Sequence, residues 1–165
     1  MTEEDPQFDA ACHLAEKSAL KLIARAEQNS LRLAAKLENK GFDAAVVKEV
    51  VSRLLDRDLL NDTRYAELWI RSRLSSEKKI SPLWLRSSLS RKGIGMESSQ
   101  KALEKILDPE TEYSLLLRYL GVCEDAPEVP PRNEVSGNKE GGIKRAFLKK
   151  EGFSVAVLDR YYNLL

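Results

Sequence analysis

Several residue types are too scarce in this 165-residue chain to support whole classes of protein. Its two cysteines, Cys12 and Cys123, lie far apart with no CxxC partner for either, which argues against a disulfide scaffold and fits a reducing compartment. His13 is the only histidine, so no Ser-His or Cys-His pair exists without it, and neither HExxH nor a metal-spaced cluster occurs. No run approaches the roughly 18 apolar residues of a spanning helix, and the acidic start MTEEDPQF lacks the features of a signal peptide. Charge of one sign is also lacking: Lys and Arg total 27 against 26 Asp and Glu, a net charge of +1. Any surface for a polyanion must therefore be local. Gly137 and Gly142 have the glycine gap of a phosphate loop, but Ile143 stands where its lysine belongs and no strand precedes it. These gaps lead us to expect a cytoplasmic, soluble monomer that is not an enzyme, needs no cofactor or metal and has no membrane partner.

What the chain does have is internal repetition. Residues 31–54, 83–106 and 142–165 align with Gly41, Gly93 and Gly152 in register. Four residues before each glycine stands a leucine (Leu37, Leu89, Leu148), and one residue after it a large apolar group (Phe42, Ile94, Phe153). Glycine just past a helix takes the left-handed conformation that ends it, and the following apolar residue packs back on the leucine of the last turn. Asp43, Gly95 or Ser154 then caps the next helix. That helix carries a two-residue-wide apolar stripe, Val46, Val47, Val50, Val51, Leu54 and Leu55 in the first copy and Val157, Leu158, Tyr161, Tyr162 and Leu165 in the third. The middle copy is weaker, with Ser98 and Ser99 in the stripe.

A further helix precedes each pair, near 10–27 with Ala15, Ala19, Leu22, Ile23 and Ala26 on one side, near 63–76, and near 111–121. The spacing predicts an all-α fold of three tandem three-helix repeats, nine helices in an elongated curved array. Its expected parts are a disordered acidic tail (1–9) and repeats at 10–61, 62–108 and 109–165. The last repeat is interrupted at 122–142 by a proline- and glycine-rich loop.

Charge is segregated along the chain. Residues 71–105 carry nine bases against three acids, and residues 143–165 five bases against two. Such runs are either the solvated faces of helices or a stripe facing phosphates or an acidic protein groove. On the second reading the contact residues are Arg71, Arg73, Lys78, Lys79, Arg86, Arg91, Lys92, Lys144, Arg145, Lys149 and Lys150. Tyr65, Trp69 and Trp84 are close enough in sequence to offer stacking surfaces, with Trp69 expected in the core and Trp84 the more exposed.

Lys40-Gly41-Phe42, Arg91-Lys92-Gly93-Ile94 and Asp62-Thr63-Arg64-Tyr65-Ala66, with Leu59-Leu60-Asn61-Asp62 joining the first two repeats, give the chain a resemblance to the RecX regulatory proteins. The resemblance covers residues 13–107 well and the last repeat more loosely. It implies a negative regulator that lodges in the groove of the RecA filament on single-stranded DNA, inhibits recombinase and ATPase activity, and binds DNA weakly itself. A stand-alone DNA-binding helical protein, or a helical-repeat scaffold for another protein, are the alternatives that the residues leave open.

Overall fold

In the computed structural model, which describes residues 6–76, 79–122 and 145–163, helices start and stop where caps and glycines dictate. Nine helices and no strands occur among the described residues: α1 (Pro6–Ile23), α2 (Ser30–Glu38), α3 (Ala44–Asp56), α4 (Asp62–Ser76), α5 (Pro82–Arg91), α6 (Met96–Ile106), α7 (Pro109–Leu120), α8 (Arg145–Lys150) and α9 (Val155–Asn163). None is long and apolar enough to cross a membrane. Most of the proline- and glycine-rich loop at 122–142 lies outside the described residues, as do Lys78 and Lys144.

The three turn glycines behave as the alignment requires. Gly41, Gly93 and Gly152 have φ of +90°, +79° and +91°. In each turn the N–H of the following apolar residue donates to the carbonyl of the repeat's leucine: Phe42 to Leu37 at 3.3 Å, Ile94 to Leu89 at 3.1 Å, Phe153 to Leu148 at 3.3 Å. The glycine N–H meanwhile donates to the carbonyl three residues back. Leu37, Leu89 and Leu148 are fully buried; Ile94 and Phe153 are buried and Phe42 half-buried. α3 closes the same way without glycine: Asp58 takes φ +53°, and Leu59 and Leu60 donate to the Leu54 carbonyl.

The first helix starts earlier than the sequence suggests. Residues 6–9, assigned to the acidic tail, belong to α1, because Pro6 suits a first helical turn and Phe8 packs on the core one turn on. α1 also stops sooner, at Ile23, which leaves Ala26 exposed and outside the stripe.

The chain folds as two compact units, and the division passes through the middle repeat. One unit comprises the chain up to Ala66 with Leu89–Ser99; the other comprises Glu67–Ser88 with the chain from Gln100 on.

In the first unit, α1, α2 and α3 enclose a core of Cys12, Ala15, Ala19, Leu33, Leu37, Val46, Val47, Val50, Leu54 and Leu60. Small residues on α1 allow close approach, and the valines and leucines of α3 fill the space opposite. Burial pushes the Cys12 thiol above its ordinary pKa, so it sits in this core as a neutral apolar group. The buried Asn29 caps α2, accepting from Arg32 N at 2.7 Å, and its amide donates to the Lys92 carbonyl at 3.3 Å. Ser30 donates from N and Oγ to the two Asp62 oxygens at 2.7 and 2.6 Å. Arg64 reaches Glu27 at 2.8 Å, and Ala66 is fully buried. The Asp62-Thr63-Arg64-Tyr65-Ala66 segment is therefore a clasp that ties the start of α4 to the start of α2.

The second unit repeats part of this arrangement with different side chains. Ser81, aligned with Asn29, accepts from Trp84 N at 3.2 Å and donates to Glu151 Oε2 at 2.7 Å, while Leu83 N donates to the Glu151 carbonyl at 2.9 Å. Glu151 precedes Gly152 as Lys92 precedes Gly93. In both units, then, the start of a repeat's middle helix is bonded to the glycine turn of the next repeat. A Cβ on Gly93 would strike the Leu31 side chain, and one on Gly152 would lie 3.0 Å from Leu83 N and 3.3 Å from Pro82 Cβ. The buried Glu112 of α7 accepts from Ser154 N at 2.5 Å and Oγ at 2.8 Å, fixing the start of α9. Asp43, by contrast, occupies the cap position of α3 without a side-chain hydrogen bond.

Two stability predictions follow from these turns. Gly41→Ala meets open space and bears only the left-handed backbone cost, about 1 kcal/mol, whereas Gly152→Ala also collides with backbone and costs at least about 2 kcal/mol. Denaturant unfolding of the two variants is expected to rank them in that order. Ser99 occupies the place of the buried Val47 and Leu158, and its buried hydroxyl has no hydrogen-bond partner among the described residues. Ser99→Ala is expected to raise the unfolding free energy by about 1 kcal/mol, read from the same transition.

Candidate nucleic-acid and partner interface

The basic residues singled out in the sequence fall into two groups. Arg91 and Lys92 belong to the first unit, and Arg71, Arg73, Lys79, Arg86, Arg145, Lys149 and Lys150 to the second. The run 71–105 therefore does not form one continuous patch within a single compact unit, because α5 leaves the second unit after Ser88. Lys92 is half-buried at the glycine turn, its carbonyl bound to Asn29, and Arg91 is exposed at the end of α5.

In the second unit, α4 and α5 hold the densest chemistry. Trp69 of α4 and Trp84 of α5 stack with ring centroids 5.9 Å apart and planes at 19°. Both rings are half-buried. Ser81 fixes the first turn of α5 by accepting from the backbone N–H of Trp84. Arg73, one turn beyond Trp69, lies 5.5 Å from the Trp69 ring centroid, an arrangement that favours the cation. Arg71 and Lys79 are exposed and form no ion pair among the described residues. Arg86, also exposed, donates to Gln100 at 3.4 Å, and Lys105 is neutralised by Glu67 at 2.8 Å.

The third repeat contributes less positive charge than its composition suggests. Arg145 pairs with Asp159, and Arg160 with Glu110 at 2.6 Å while lying 4.1 Å over the Tyr113 ring. Lys149 and Lys150 are exposed on α8 beside the half-exposed Phe147. Backbone and side-chain hydrogen bonds from Thr111 hold the Asp108 carboxyl below its ordinary pKa, as expected of a charged cap at the start of α7. Burial, with Glu151 nearby, raises the Tyr119 phenol.

A second cationic place was missed by the sequence reading. Lys17 and Lys21, one turn apart on α1, line an open groove of ≈ 680 Å³ with His13 and with Arg57 from the end of α3. Arg57 is paired there with Glu16 at 2.5 Å. The one available signal was the Lys17–Lys21 spacing, since Arg57 arrives only through the packing of α3 on α1. Among the described residues no group of three His, Cys, Asp or Glu could hold a metal ion.

Residues 61–103 match the profile of the second three-helix domain of RecX. The regulatory protein RecX of Treponema pallidum strain Nichols is 34% identical over 113 residues, 68% of each chain. That of Syntrophotalea carbinolica is 28% identical over 148 residues, 88% of this chain and 92% of its own. Among solved structures, RecX from Lactobacillus salivarius superposes with a TM-score of 0.60 at 21% identity, covering 95% of this chain and 99% of its own. A second regulatory protein RecX gives a TM-score of 0.61 at 20% identity, covering 98% of this chain and 79% of its own. At those identities the structures speak for the fold.

Proposed function

The chain belongs to the RecX family of regulatory proteins, and on that premise we propose that it is a negative regulator of RecA, acting in DNA repair and recombination in the cytoplasm. It occupies the groove of the RecA filament on single-stranded DNA and lowers strand exchange and ATP hydrolysis by that occupancy, without chemistry of its own. The observation that carries this reading is the similarity to a RecX regulatory protein over 148 residues, nearly the full length of both chains. The site fits the role. A filament groove offers phosphates and acidic protein surface, and the cations best suited to them here are Arg71, Lys79 and Arg86 in the second unit, with Lys149 and Lys150 on α8. Exposed cations of this kind act through long-range attraction and counterion release, so the contact weakens as salt rises.

The test is RecA's single-strand-dependent ATP hydrolysis with this protein titrated in. Inhibition that grows as the groove fills is the expected result, whereas full inhibition well below stoichiometric amounts would mark filament capping or disassembly in place of groove occupancy. Charge reversal of Arg71, Lys79 and Arg86 together is expected to weaken filament binding at least tenfold with an unchanged thermal transition. No inhibition at any ratio, together with salt-sensitive DNA binding by the protein alone, would overturn the RecA reading in favour of a stand-alone DNA-binding protein.

A further inference from the structure

α1 packs on α2 and α3 through Cys12, Ala15 and Ala19. On its other side His13, Lys17, Leu20, Lys21 and Ala24 recur at helical spacing and all stand exposed. Arg57, at the end of α3, closes one flank of the groove these residues line. Glu16 is the single acid among the lining residues, and Arg57 already holds it at 2.5 Å. The Arg57 side chain is nevertheless 58% exposed, so part of its set of N–H donors stays open to a further acceptor. Lys17 and Lys21 form no ion pair among the described residues. The groove thus presents positive charge with little to neutralise it, beside an apolar strip of Leu20 and Ala24.

How the charges are spread decides which anion suits the groove. Lys17 and Lys21 stand one turn apart, about 6 Å along the helix axis, and Arg57 comes from another helix, so the cations do not converge on one point. Such a row matches several carboxylates on one strip better than a single phosphate. No Phe, Tyr or Trp lines the groove, so an unpaired base has no aromatic ring to stack on. Leu20, 39% exposed, is suited instead to an aliphatic side chain. From this we infer that the α1 groove docks an acidic amphipathic helix of a second protein. Its carboxylates meet Lys17, Lys21 and Arg57, and its apolar residues cover Leu20 and Ala24. The charges speed and orient the encounter, and the apolar contact slows release. The cations assigned above to the filament, Arg71, Lys79, Arg86, Lys149 and Lys150, all belong to the second unit, whereas this groove lies wholly in the first. The inference therefore adds a separate protein contact to the regulatory reading and does not rest on it.

Fluorescence anisotropy of a labelled synthetic helix of about eighteen residues, with glutamates along one strip and leucines beside it, tests the site on the full chain. The unmodified protein is expected to bind it saturably at low salt, with an affinity that falls as salt rises. The same peptide with glutamine in place of glutamate is expected to bind about tenfold more weakly. Lys17→Glu with Lys21→Glu is expected to weaken binding of the glutamate peptide about tenfold, and Leu20→Ala about threefold. RecA inhibition by both variants is expected to match that of the unmodified protein. Circular dichroism melting identifies any variant that fails to fold, in which case the glutamate against glutamine comparison on the unmodified protein decides. No saturable binding at low salt would overturn the site, as would equal affinity for the two peptides, or charge reversal or Leu20→Ala without effect. A labelled oligothymidylate that loses about tenfold on the charge reversal, beside a peptide that does not bind, would give the cations to nucleic acid and overturn the inference as well. Loss of RecA inhibition on that charge reversal would make the groove part of the filament contact and remove the case for a separate partner.

Discussion

The left-handed glycine turn is the constraint on which the rest of this fold depends. It ends one helix, starts the next about two residues later, and leaves no room for a side chain where the turn meets its neighbour. At Gly93 that neighbour is Leu31 and at Gly152 it is Pro82 and Leu83, residues that occupy the same place in successive repeats. Around this apolar contact the two units use different polar groups for the same task. Asn29 donates to a backbone carbonyl in the first, and Ser81 donates to a carboxylate in the second. The backbone geometry is held in common while the side chains that satisfy it differ, which is why the repeat shows in three glycines and three leucines and hardly elsewhere. Gly41 has the same turn, but a Cβ there would meet nothing within 4 Å among the described residues.

The same architecture bears on charge. The amide-rich starts of helices attract carboxylates, and the fold supplies them: Asp62 at Ser30, Asp108 at the first turn of α7, Glu112 at Ser154. Glu151 serves the start of α5 in a similar way. Glu16, Glu27, Glu67 and Glu110 are each paired with a particular base. Acids committed to caps and pairs do little to neutralise the remaining lysines and arginines. A chain with net charge +1 thereby presents exposed cations such as Arg71 and Lys79, although its overall composition gives no hint of a surface for polyanions.

What was legible in the sequence follows from how local each signal is. The glycine turns and the leucines four residues earlier lie within a few residues of what they control, and the structure contains them as read. The start of α1 was missed because the acids around Pro6 resemble a tail, while the packing of Phe8 that recruits them is tertiary. The pairing of Asp62 with Ser30 spans 32 residues and that of Glu112 with Ser154 spans 42, and no periodicity announces either. The site was legible in kind but not in arrangement. The basic run and the aromatics stood out, yet the stacking of Trp84 on Trp69 and the cationic groove between α1 and Arg57 depend on which helix faces which.

α4 shows how structure and function can share one element without conflict. Its first turn, with Asp62, Arg64 and the buried Ala66, belongs to the first unit and is occupied with holding α2. From Glu67 on the same helix belongs to the second unit and carries Trp69, Arg71 and Arg73. The RecX domain profile, at 61–103, spans both halves. Residues in the first half are constrained by hydrogen-bond partners and burial, so changes there act on stability. In the second half Arg71 stands in water and the Trp69 ring is half-buried, so a change at Arg71 disturbs less buried structure than one at Ala66.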